Sequence, residues 1–110
     1  MPVKLLLAYD IKPQRLEEYY QFILGEFLPR AHTLGLKLRS SWQTVYGNYP
    51  DRLVEFVAKD LETMQSALHH EVWDSIETKL GEYVANYEKQ IVPLKPNFQF
   101  FIPRRRKQYR

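Results

Sequence analysis

Apolar and polar residues alternate from the first residues of the chain. In Val3–Ile11 every odd position (Val3, Leu5, Leu7, Tyr9, Ile11) is apolar, and the even positions Lys4, Leu6, Ala8 and Asp10 are mixed. A period of two predicts a strand with one hydrophobic face and one mixed face. After Pro13 the period lengthens. Leu16, Tyr19, Tyr20, Ile23, Phe27, Ala31 and Leu34 follow steps of three and four, predicting a helix that Pro13 opens and Gly35 ends. Gly25 and Pro29 fall inside it and predict a kink, or a break into two pieces, near Pro29.

Lys37 to Tyr46 is β-leaning, 47–51 is a turn cluster (Gly-Asn-Tyr-Pro-Asp), and Leu53–Ala58 is the return strand of a hairpin. Asp60 suits the N-cap of a further helix with Leu61, Met64 and Leu68 on its apolar stripe. A second stripe, Trp73, Ile76, Leu80, Tyr83, Tyr87 and Ile91, is out of phase with the first. The slip near His69-His70-Glu71 predicts two consecutive helices or one bent helix, stopped by Pro93 and Pro96. Asn97–Ile102 reads as a last strand. The order β-α-β-β-α-β predicts an α+β, ferredoxin-like fold, a four-stranded antiparallel sheet with its helices on one face. The other face must then be wet, closed by a partner, or wrapped around a ligand. Residues 1–103 form this single domain, and 104–110 are a basic C-terminal tail.

With this strand order, the stretch HHEVWDSIETKLGEYVANYEKQIV and the terminal NFQF, residues 3 to about 102 resemble the dimeric α/β-barrel superfamily of antibiotic-biosynthesis-type monooxygenases, stress-responsive barrel proteins and NIPSNAP-like proteins. The resemblance implies a homodimer whose sheets meet face to face around an interior able to hold an organic substrate or haem. In the haem-degrading branch an Asn lies on the first strand, and a Trp is followed about three helical turns later by a haem-ligating His. Trp73 matches the Trp, but Tyr83 stands ten residues on, and the first strand offers Tyr9 and Asp10. No cofactor is therefore expected.

Composition narrows the chemistry further. The 110 residues are 45% hydrophobic and 26% charged, an ordinary balance for one globular domain, and there is no cysteine. A thiol nucleophile, a disulfide scaffold and iron–sulfur ligation are thereby excluded. The net charge of +3 resides in the tail. Residues 1–103 sum to −2, and Arg104 to Arg110 hold five basic groups. The body lacks the basic balance that nucleic-acid binding wants, so no nucleic-acid partner is expected. The apolar run Leu5–Tyr9 is too short for a signal core or a membrane span, and a cytoplasmic location is the expectation.

If Tyr46 lies opposite Leu53 in the hairpin, Thr44 faces Glu55 and Trp42 faces Val57. Trp42, Thr44, Tyr46 and Glu55 then share the open sheet face. Tyr9, Trp42, Thr44 and Tyr46 are the candidate ligand-binding residues. Glu55 and Asp10 are candidate catalytic carboxylates, with Glu55 expected to be shifted upward by enclosure and to serve as a general base. His70 and Asp74, four apart on a helix, are the only candidates for a metal, and with no third ligand in sight no metal site is expected. The first functional reading is a homodimeric barrel binding a small, largely apolar molecule between sheet and partner. One alternative is a cofactor-independent monooxygenase-like enzyme. The other is a structural or interaction protein with a closed dimer interface.

Overall fold

A computed structural model describes residues 1–43 and 51–93. Four strands, β1 (Val3–Ile11), β2 (Lys37–Gln43), β3 (Arg52–Ala58) and β4 (Val84–Pro93), form one antiparallel sheet in the order β2-β3-β1-β4. The helices α1 (Leu16–Phe22), α2 (Leu28–Thr33), α3 (Leu61–Leu68) and α4 (Glu71–Leu80) pack against it. The core forms where the odd residues of β1 meet them: Leu5, Leu7 and Tyr9 lie in one cluster with Tyr19, Phe27, Phe56, Met64 and Trp73. This is the predicted ferredoxin-like arrangement.

A short 3-10 turn at Pro13–Arg15 leads into α1, and a π turn, Ile23–Phe27, joins α1 to α2. Pro29 has no N–H to offer a helical carbonyl, and its ring crowds the preceding turn. The predicted kink is absorbed by widening: the Leu28 N–H reaches back five residues to the Ile23 carbonyl. Gly35 ends α2 at φ +93, where the Leu36 N–H returns to the Ala31 carbonyl at 3.1 Å and the Gly35 N–H to that of His32 at 3.0 Å. Asp60 caps α3 by accepting the Thr63 N–H at 2.8 Å.

Two expectations are corrected. The second helical region ends at Leu80, with Gly81 as its C-cap, and the stretch read as its continuation is strand β4. Tyr83, Tyr87 and Ile91 are spaced by four, which puts them on one face of a helix and equally on one face of a strand. The strand predicted at Asn97–Ile102 and the tail from Arg104 lie outside the described residues. The hairpin register also differs by four residues, so that Trp42 pairs with Leu53 and Ser40 with Glu55, with a bulge between Leu38 and Ser40. An even slip preserves the side on which each residue stands. Trp42 and Glu55 therefore keep the open face, while Thr44 and Tyr46 lie outside the described residues.

Candidate functional site

The sheet has two faces of different chemistry. On the open face, Lys4, Leu6, Ala8 and Asp10 of β1 stand beside Leu53, Glu55 and Val57 of β3. Lys4 and Glu55 form an ion pair, Nζ to Oε2 at 2.9 Å, with each side chain only 8% exposed. Ser40 donates to Glu55 Oε1 at 2.7 Å, and Arg39 Nε lies 3.9 Å from the same oxygen. Burial pushes the Glu55 carboxyl up, but the hydroxyl of Ser40 and the cations of Lys4 and Arg39 outweigh it, and the net shift is downward. The expected upward shift is thus corrected: Glu55 is a committed anion. Trp42 stands on this face, 50% exposed.

Asp10 does not join Glu55. Leu6 is opposite Glu55, and Asp10 lies four residues further along β1, roughly 13 Å away at strand rise. Asp10 instead accepts the Asp51 N–H at 3.0 Å and the Asn86 side-chain amide at 2.8 Å. The Asp51 carboxylate in turn accepts the Ile11 N–H at 3.3 Å. Asn86 sits at φ +57 where the β1–β4 register shifts. Asp10 therefore clasps the hairpin and the β4 irregularity to the end of β1. His70 is the N-cap of α4, its Nδ1 accepting the Val72 N–H at 3.0 Å. The tie between His70 and Asp74 runs through the backbone, Asp74 N–H to His70 carbonyl, in place of a side-chain pair. Among the described residues no three potential ligands gather as a metal would need.

The covered face holds a cavity of about 220 Å3 between β2–β3 and the α1/π-turn segment. Its walls are Ile23, Phe27, Leu28, Val54 and Phe56, and its exposed members Leu24, Leu38 and Tyr20 place the opening between the π turn and β2. Polar groups come from Tyr9, Tyr19, Tyr20, Ser41 and Arg52. The Tyr9 and Tyr19 hydroxyls share a hydrogen bond of 2.6 Å. Burial, and then the neighbouring Tyr19, raise the Tyr9 hydroxyl well above the usual phenol range, and burial raises that of Tyr19. Both stay protonated. Arg52 donates to the Tyr20 hydroxyl, its guanidinium 5.5 Å from the Tyr20 ring centre.

Tyr9 therefore touches a cavity, but on the helix-covered face, away from Trp42. The sequence pattern marks Tyr19 and Tyr20 only as apolar positions of the first helix and does not single out Arg52. The signal for the tyrosines was adjacency: two neighbouring aromatics on one helix cannot both point to the centre of the core. Trp73 and Tyr83, the positions compared with haem-binding residues, are buried core members, packed edge-on to Phe27 and against Phe22 respectively. Neither fits a haem site.

No family model and no curated protein matches the sequence. Solved structures do match. A NIPSNAP family protein from Agrobacterium tumefaciens superposes with a TM-score of 0.67 at 13% identity, covering 86% of this chain and 87% of that one. A dimeric ferredoxin-like protein of unknown function from Thermobifida fusca gives 0.63 at 16%, covering 86% and 92%. A candidate antibiotic biosynthesis monooxygenase from Bacteroides thetaiotaomicron gives 0.60 at 20%, covering 94% and 92%. The chain shares their ferredoxin-like fold. At such identities a ferredoxin-like fold hosts many activities, so function must be argued from the residues above. Among the described residues no helix is long and apolar enough to cross a membrane.

Proposed function

We propose that this ferredoxin-like protein binds a small, largely apolar organic molecule in the cavity between its helices and its sheet. The observation that carries this reading is a preformed space lined mainly by apolar side chains, with a few polar groups. An engineered cavity of about 150 Å3 holds benzene, whereas drug-sized ligands need about 300 Å3 or more. A space of 220 Å3 therefore suits one substituted ring or an aliphatic group of similar bulk. Toluene is the neutral probe. It should raise the thermal midpoint by about 5 °C at ten times its Kd, as a one-site ligand of a domain this size does. Val54→Phe, which fills the cavity from β3, should abolish the shift. No shift in the wild type would overturn the reading.

A second reading concerns the other sheet face, where the half-exposed Trp42 and the partly exposed Leu53 and Val57 flank a buried ion pair, Leu6 and Ala8 being buried within the chain itself. Such a face, with apolar groups around a desolvated charge pair, supports closure by a second copy of the chain. The neighbour from Thermobifida fusca is described as dimeric. Light scattering at micromolar concentration should give twice the 13.2 kDa chain mass, and Trp42→Glu should return it to one chain. A wild-type monomer would sink this reading.

A further inference from the structure

The donors and acceptors around the cavity do not balance. Tyr9 and Arg52 are direct partners across the β1–β3 ladder, so both side chains leave the sheet on the covered face within contact range of each other. Both line the cavity. Arg52 uses one terminal nitrogen on the Tyr20 hydroxyl, but its Nε is buried and has no hydrogen-bond partner. None of the ion pairs among the described residues involves Arg52. The Tyr9–Tyr19 hydroxyl pair adds a second surplus. Its two oxygens share one hydrogen in the 2.6 Å bond, and the other hydroxyl hydrogen has no acceptor among the described residues. Since burial keeps both phenols protonated, that hydrogen stays in place.

One side of the cavity thus carries a cation with no ion-pair partner among the described residues, a buried N–H and a spare O–H, opposite walls of Ile23, Phe27 and Leu28. A buried polar group without a partner is costly, and a cation beside an apolar space more so. The complement must bring charge and acceptors together. We propose that the ligand is a small organic carboxylate whose charged end is held by Arg52 and the spare hydroxyl of the Tyr9–Tyr19 pair, with its apolar body against Phe27. This deepens the binding function proposed above and rests on it. A carboxylate only accepts, in two directions, which suits the planar fork of a guanidinium and leaves an oxygen for the phenol. A neutral carbonyl would satisfy one donor and leave the charge. A phosphate dianion would outweigh the single cation that the lining offers.

The test uses the full chain, three probes of one size (benzoate, its neutral counterpart benzamide, and toluene) and calorimetry at pH 7. Benzoate should bind at least tenfold more tightly than benzamide, the step expected of a hydrogen bond to a charged group. Arg52→Met should level the two, and a cooperative thermal melt of the variant shows that it retains its fold. Arg52→Lys, a point charge in place of the fork, should restore part of the preference. If toluene binds but benzamide equals or exceeds benzoate, the carboxylate inference is overturned and the cavity reading stands. If benzoate binding survives Arg52→Met undiminished, the anion sits elsewhere and the inference is again overturned. If none of the three binds, the cavity reading falls and takes the inference with it.

Discussion

Replacing Phe27 with alanine should cost about 4 kcal/mol of folding stability and enlarge the ligand cavity at the same time. Phe27 closes the π turn, is almost wholly buried, and meets the rings of Phe22, Phe56 and Trp73 at centroid distances of 5.8, 6.1 and 5.5 Å. Truncating such a ring costs about 3–5 kcal/mol, through lost transfer energy and the void left behind. The middle of that range is expected here because the partners are rings on two helices and a central strand, with little freedom to collapse inward. The void would join the existing space, so the stabilisation conferred by toluene should grow in the variant relative to wild type. Denaturant melts with and without toluene check both halves. A loss below about 1 kcal/mol would show that Phe27 is not the wedge between cavity and core.

The second large effect belongs to the open face. Lys4→Met should cost about 3 kcal/mol, because removing one member of a buried ion pair strands the other. The lower end of the usual range applies, since Ser40 still donates to Glu55 and Arg39 remains 3.9 Å away. The double variant Lys4→Met with Glu55→Leu should return to within about 1 kcal/mol of wild type, as apolar replacement of a whole pair often does. The pH dependence has a defined sign. In the wild type the Glu55 carboxyl lies below 4.5, so its contribution is complete above that pH and fades as pH falls through the lowered folded value. Without Lys4, burial is opposed only by Ser40 and Arg39, and protonation relieves the stranded charge. The deficit of Lys4→Met relative to wild type should therefore shrink between pH 6 and pH 3, as measured by denaturant melts at each pH. A deficit that stays constant would mean that Lys4 and Glu55 are not coupled in solution.

How far the residues alone revealed this molecule differs between elements. Strand β1 was readable to the residue because every odd position over nine residues is apolar, a period of two that no helix shares. The Asp60 cap, the Gly35 terminus and the break near His70 were readable because each depends on local backbone chemistry. Strand β4 was not, since Tyr83, Tyr87 and Ile91 satisfy both periods and only pairing with β1 decides between them. The hairpin register was missed because it depends on the β2 bulge, a tertiary feature. The cavity was legible only in fragments. Tyr9 was singled out, but on the expectation of an open-face site. Arg52 gains its meaning solely from standing opposite Tyr9, a long-range fact that no local pattern carries.

The bulge at Arg39 has one more consequence. Strand β2 ends the sheet on one side among the described strands, and a flat row of unpaired amides there would invite another chain to add itself and propagate into fibres. Two cations, Lys37 and Arg39, stand within a distorted stretch whose pairing skips a residue, and the strand carries no buried side chain. An incoming strand would meet charge and a broken ladder where it needs regular spacing. The irregularity that re-aims Ser40 towards Glu55 therefore also protects the chain against polymerisation through its own backbone.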